Sequence, residues 1–506
     1  MGSIQKTYDG TTDATLAAGN YSLSGFVTVS GVTEGASVTQ TAGTYNSRNV
    51  LDANSVTTTL ASGDFTANSG TSLSNYTLPT TATGAASIGT RLLTVGYTGV
   101  TRDYDGTTVA TVTTTDNRVS GDLLSIIRSG SFDTKNIGTA KPISVYGVSL
   151  SGTDATNYTV ASTGSTSADV TRLDSATWVG PTSGEWFNPA NWAATTNLSI
   201  TGVMPDLNNV KKVYVPQGNA ISFDDSVAGR TGAVSTGTVM LDSLAYQGTV
   251  STSNLTLKNG ALVVSGNAAL GGFESVAGTT LTVNKVGATP STLSVDIASG
   301  VTQSMAGALN GSAGFRKAGA GTLVFTGGNA YTGGTPIAAG TLQVGVGGTA
   351  GNLGTGTITN NGTLIFKRSD NIGVADVIAG TGVLRQEGTG TLTLSGTNTY
   401  TGATTVNTGT LAISSDANLG TAPSSPQTNQ LVVNNGASLY FYPVFTSSLN
   451  ANRGITLTGS TTLNTGIGSD VTYAGIVAGT GSLTKVGAGT LILNGANTYA
   501  ATTVSA

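Results

Sequence analysis

One eleven-residue pattern, Gly-Thr-Leu-x-Φ-x-Gly-x-Asn-x-Tyr with Φ apolar, is written three times in the last third of the chain. It runs over 321–331 (GTLVFTGGNAY), 390–400 (GTLTLSGTNTY) and 489–499 (GTLILNGANTY). The shorter Gly-Thr-Leu begins at Gly321, Gly340, Gly362, Gly390 and Gly409, giving gaps of 19, 22, 28 and 19 residues. Self-similarity at this period marks stacked units that bury a shared core, with about one coil of a solenoid per step. A chain built this way works through its length and surface rather than through a catalytic pocket.

The side-chain inventory narrows the options further. Of 506 residues only 46 are charged, 72 are Gly, and there is neither His nor Cys. Without His the usual general base and the commonest metal ligand are missing. Without Cys there are no thiol nucleophiles, thiolate metal sites or disulfides. No catalytic residue, cofactor site or metal site is therefore assigned. A net charge of −4 gives no field of either sign, and Lys and Arg occur at most in pairs such as Lys211-Lys212. Nucleic acid is not an expected partner. No apolar run reaches the ~20 residues that cross a bilayer. Met1-Gly2-Ser3 reads as an expression remnant, and the chain as a segment of something longer. The lack of Cys fits a cytosolic protein but, with the richness in Thr, Ser, Gly and Asn, better fits one threaded unfolded through an oxidising periplasm.

Strand signals dominate. Segments such as Thr391-Leu392-Thr393-Leu394-Ser395 alternate with period two between Gly residues, and no 3.6-residue apolar period persists. The fold class is all-β. The N-terminal third is duplicated: Tyr8-Asp9-Gly10 recurs as Tyr104-Asp105-Gly106, 43–50 (GTYNSRNV) as 130–137 (GSFDTKNI), and Asn75-Tyr76 as Asn157-Tyr158. Two tandem modules, 1–95 and 96–173, follow, the first longer by 14 residues between its Tyr8 and Asn75 than the second between Tyr104 and Asn157. Trp178, Trp186 and Trp192 crowd into 174–201, read as a connector that caps the open end of the solenoid, or else as a sugar-stacking platform. From 202 to 506, Asn- and Gly-bounded strands such as those opening at Asn259-Gly260 and Asn361-Gly362 imply a right-handed parallel β-helix. Leu323/Phe325, Leu392/Leu394 and Leu491/Leu493 are expected inside, with Val324, Thr393 and Ile492 outside. At ~20 residues per coil, ~15 coils would form a rod on the order of 70 Å long.

The three long repeats, with the continuations at Thr332-Gly333-Gly334-Thr335 and Gly402-Ala403-Thr404-Thr405, resemble the passenger-associated transport repeat of bacterial autotransporters. The third copy departs, with Ala500-Ala501 in place of Thr-Gly. The duplicated modules are similar to the YDG modules of secreted adhesins of the filamentous-haemagglutinin type, and the Trp segment resembles the W…G.W….NW signature that precedes passenger helices. These resemblances imply export through an outer-membrane translocator and display outside a Gram-negative cell.

The function expected from them is a non-enzymatic adhesin or biofilm-matrix segment, a monomer that binds cell-surface glycans, proteins or abiotic surfaces. A pure spacer stalk and a polysaccharide-degrading β-helix are the alternatives. The enzyme would need clustered carboxylates, and the acids beyond Val203 are sparse: Asp206, Asp224, Asp225, Asp242, Glu274, Asp296, Asp370, Asp376, Glu387, Asp416 and Asp470. Outward Thr ladders could also bind ice, but the coil lengths are too irregular for a flat lattice. Ligand-contact candidates are Trp178, Trp186 and Trp192, and the pair Tyr440 and Tyr442, which alternation places on one face of Leu439-Tyr440-Phe441-Tyr442-Pro443-Val444-Phe445. In the Tyr-Asp-Gly triplets, Asp is expected to hold a turn and Gly to take positive φ.

Overall fold

In a computed structural model of the chain, strands are joined by turns and short 3₁₀ segments, with no α-helix among the described residues. These are 1–206, 208–216, 219–223, 238–241, 243–247, 254–257, 261–265, 268–270, 272–285, 292–443, 445 and 448–505. Asp224, Asp225, Asp242, Asn259, Gly260 and Val444 lie outside them. Two compact units result: 1–102 with 107–171, and 103–106 with 172–506.

The first unit holds the duplicated modules, and the duplication is structural. Module one orders its sheet as Ile4–Thr7, Thr81–Gly89, Ser55–Thr59, Ala42–Tyr45, Asp13–Thr15. Module two repeats that order with Arg102–Asp103, Gly164–Thr171, Gly138–Ser151, Ser125–Phe132, Val109–Ala110. In module one the first strand joins the last in parallel, Ile4 against Ala86, while its inner pairs are antiparallel. Alternation along these strands buries one side: Ile4, Ala14, Tyr45 and Val56 in module one, Ala110, Phe132, Ile143 and Val145 in module two.

The second unit is a parallel β-solenoid with three strand positions per coil. One face carries thirteen strands, from Ser183–Glu185 to Val477–Ala478, so about 60 Å of stacking at the ~4.8 Å strand spacing. The coil count is thus slightly below the sequence expectation, because several coils carry long corners such as the stretch between Val344 and Ile358. Successive rungs align like with like: Leu323, Leu342, Leu364 and Leu384 form one interior column, all fully buried. A second column runs Leu392, Leu411, Leu439 and Leu463 on another face. Each fully buried Leu contributes roughly 2–3 kcal/mol by leaving water.

The Gly-Thr-Leu spacing has a geometric meaning that the sequence hides. Gly321, Gly340 and Gly362 open successive rungs of one face, so 19 and 22 residues are one coil each. The 28-residue step to Gly390 is one coil plus a move to the next face, since Thr363 pairs with Val383 and the Gly390 strand pairs with Ile372–Val374 instead. The third copy, Thr490–Leu493, lies in a further sheet against Asp470–Tyr473. Leu491 and Leu493 are only half buried, because no later rung covers that strand among the described residues. Val324, expected outside, is buried between its rung neighbours Ser304 and Gln343.

The Trp segment is the solenoid's own first coil. Leu173–Trp178 pairs in parallel with Val210–Pro216, and Ser183–Glu185 with Ala220–Phe223. Trp192–Ala194 then adds antiparallel to Leu173–Trp178, followed by Asn197–Thr201. Reversing direction at the edge closes a ladder that a parallel strand would extend.

Candidate functional site

The repeated Asn and Tyr of the long motif are structural clamps. Asn329 accepts a hydrogen bond from Leu309 N–H at 2.9 Å, Asn398 from Ile378 N–H at 2.8 Å, and Asn497 from Val477 N–H at 2.9 Å. Each partner lies 20 residues earlier, one coil back. Asn329 and Asn398 also donate forward, to the carbonyls of Asn352 and Asn418. The phenols of Tyr331 and Tyr400 are buried, each 2.7 Å from a Thr hydroxyl four residues on, Thr335 and Thr404. Burial pushes both up to about 12. In the divergent third copy the Tyr499 partner is Thr502, three residues on.

The three Trp side chains are at most 2% exposed. Trp192 meets Trp178 and Trp186 edge-on at 5.2 and 5.0 Å. Their indole N–H groups donate to the carbonyls of Pro181, Pro205 and Trp186 at 3.0, 3.1 and 2.6 Å. No ring face is left for a sugar, so as candidate contacts these residues act only through the first coil they pack.

Tyr440 and Tyr442 behave differently. Phe441 turns inward, with 1% exposure, onto Phe445 at 5.1 Å, while the two Tyr rings lie side by side outside, centroids 5.3 Å apart and 37° from coplanar. Tyr442 is 41% exposed, and Tyr440 sits in register between Ala412 and Asn464 of the neighbouring rungs. A small neighbour on one side and a short amide on the other leave an outward aromatic step. A separate groove of about 330 Å³, lined by Gln427, Asn452, Ile455 and Ile476 among others, opens on the thirteen-stranded face, away from the strand that carries Tyr440.

Several ionisable side chains in the solenoid are engaged singly. Asp416 pairs with buried Arg453 at 2.9 Å, Asp370 with Arg368 at 2.6 Å, and Glu387 with Arg385 at 3.5 Å. Asp376 accepts from Gly356 N–H and Asp206 from Asn209. Lys317 is fully buried and donates to the carbonyls of Ala318 and Gly319 at 2.6 and 2.9 Å, and burial pulls it down to about 8. Among the described residues, no three acidic side chains come close enough to hold a metal ion.

In the Tyr-Asp-Gly triplets, Asp9 accepts from Thr11 N–H at 2.9 Å, and Gly10 and Gly106 have φ of 82° and 78°. What sequence reasoning missed is the Tyr: Tyr8 and Tyr104 are each 1% exposed. Tyr104 donates to Met204 O at 3.2 Å within the solenoid unit, to which 103–106 belong. The only available signal was an aromatic inside an otherwise polar turn.

Small tandem β modules and a clamped parallel solenoid fit a secreted, surface-displayed autotransporter passenger of Gram-negative bacteria, and similarity to known sequences supports that class. The chain carries two YDG domains, matched over 1–84 and 90–167, and three passenger-associated transport repeats, matched over 315–344, 384–413 and 483–506. It is similar to the adhesin BmaC autotransporter of Brucella suis biovar 1 (strain 1330), 33% identical over 377 residues. That match covers 65% of this chain and 10% of the relative, so the chain spans about a tenth of that protein's length. No solved structure matches the chain significantly.

Proposed function

We propose that the chain is a non-enzymatic attachment segment, an adhesin or biofilm-matrix piece whose solenoid stalk carries YDG modules into contact with other surfaces. The observation that carries this reading is the 33% identity to a protein named as an adhesin. Its partners would be cell-surface glycans, surface proteins or abiotic surfaces, with an outer-membrane translocator engaged only during export, and the segment would act as a monomer. The outward Tyr440–Tyr442 step is the contact we assign to a sugar ring, since planar aromatics present apolar faces that match the C–H faces of a pyranose. Local coil-on-coil pairing suits export, because each emerging rung can fold on the one before it.

The test is binding of the purified chain to a glycan and cell-surface array, with the double variant Tyr440→Ala, Tyr442→Ala beside it. Saturable binding that the variant loses, with its melting curve kept, supports the reading. Binding to no cell, glycan or surface, while stalks of equal length but altered faces still serve the parent, would leave a spacer. Release of reducing ends or unsaturated products from a glycan panel would instead mean an enzyme.

A further inference from the structure

The two modules carry the same socket, entered by the neighbouring module in one and, in the other, met only from within its own module, where Phe26 packs edge-on against Tyr76 at 4.9 Å. In module two the Tyr158 hydroxyl accepts from Val119 N–H at 2.8 Å and donates to Asp122 at 2.6 Å, and Asp122 N–H donates to Val119 O at 3.1 Å. In module one the Tyr76 hydroxyl accepts from Val27 N–H at 3.2 Å and donates to Glu34, and Glu34 N–H donates to Val27 O at 2.9 Å. These bonds equate Val27 with Val119, Glu34 with Asp122, and Tyr76 with Tyr158. The Thr28–Val29 and Val32–Thr33 hairpin is an addition between the first two.

Module two's socket is occupied by module one. The Tyr8 hydroxyl donates to Asp122 at 2.8 Å, and its ring meets Tyr158 edge-on at 5.3 Å. Gly10, whose φ of 82° already favours Gly, also lies so close to Val119 that a Cβ there would come within 2.6 Å of Val119 Cγ1. Beside this peg, Arg48 pairs with Asp154 at 3.1 Å and Asp122 at 3.4 Å, and Val50 N–H donates to Asn157 at 2.9 Å. Asp122, Asn157 and Tyr158 are consequently buried, at 4, 1 and 5% exposure. Their counterparts in module one are not: Asn75 is exposed and Glu34 and Tyr76 are half-buried, and Val27 is 54% exposed where Val119 is half-buried.

We infer that the surface formed by Val27, Glu34, Asn75 and Tyr76 receives the Tyr-Asp-Gly peg of a further YDG module placed before this one in a longer chain. The occupant follows from the filled copy, in which the peg of one module enters the socket of the module after it. A second copy of this chain is a poor source, since its Tyr8 is already engaged with its own Asp122. The relative it resembles extends far beyond the matched segment, which leaves room for such an array. Successive modules would then be locked peg into socket rather than strung on free linkers.

The test compares the full chain with one in which an extra copy of residues 1–95 is fused directly before Met1, using amide hydrogen exchange. Exchange at Val27 and Glu34 is expected to slow by roughly tenfold or more in the fused chain, the equivalent of one buried hydrogen bond. Changing Tyr8→Ala in the added copy alone should abolish that slowing. In the original chain, Tyr8→Ala should speed exchange at Val119 and leave Val27 unchanged. Unchanged exchange at Val27 and Glu34 in the fused chain overturns the inference, as does protection of these amides in the unfused chain that grows with concentration. Neither result depends on whether the chain binds glycans.

Discussion

At the scale of single residues, the repeat motif is legible as a pattern but not as a mechanism. Its Asn and Tyr could be counted in the sequence, yet Asn398 acts on Ile378 and Asn418, in the coils on either side. Local sequence carries no mark of a partner one coil away. Asn398→Ala would strand a buried N–H and a buried carbonyl, so urea unfolding should show a loss of about 1–3 kcal/mol per orphaned group. The buried phenols make a second prediction. Tyr331 and Tyr400 are raised to about 12 in the fold, against 10.0 for a free phenol. The neutral form is therefore favoured by folding, and its contribution is complete below pH 10 and lost as pH climbs through about 12. Lys317 works in the opposite sense: lowered from 10.5 to about 8, it makes the fold gain stability as pH rises from about 8 towards 10.5. Melting temperature should thus peak near pH 10 and fall steeply beyond it, and Tyr400→Phe should soften that fall. A flat profile from pH 8 to 12 would contradict both assignments.

At the scale of elements, the coil is the unit of stability. Contacts run mainly from rung to rung, so stability should behave as a sum of coils and their interfaces. Removing residues 382–401 takes out one whole coil and brings Thr404 into the place of Leu384, with which it already stacks in register. That shortened chain is expected to keep a cooperative melt. Removing only 382–391 leaves half a coil, so the Leu392 strand falls where the Leu384 strand stood and every later corner is out of step with the rung below. This should abolish the melt, as followed by circular dichroism near 218 nm. Alternation told which residues of Leu392-Thr393-Leu394 face inward, because period two is written locally. It could not tell that the motif changes face at Gly390, since that depends on the summed corner lengths before it.

For the whole molecule, class and order of parts were readable: all-β strands, duplicated modules, then a solenoid. What stayed hidden is long-range. The Tyr8–Asp122 contact spans 114 residues, and the Trp segment read as a separate connector because nothing local shows Leu173–Trp178 pairing with Val210–Pro216. Display on a stalk and rung-by-rung export both presuppose the parallel rungs of the solenoid. The cysteine-free chain allows that to be tested cleanly. Thr341 stacks on Thr363, and Thr363 on Val383. Adjacent rungs lie ~4.8 Å apart, within reach of a disulfide, whereas a two-rung separation of ~9.6 Å is beyond it. Under mild oxidation, the pair Thr341→Cys with Thr363→Cys should crosslink nearly completely within one chain, and Thr341→Cys with Val383→Cys should not. Failure of the first pair, or equal crosslinking of the second, would contradict the parallel solenoid.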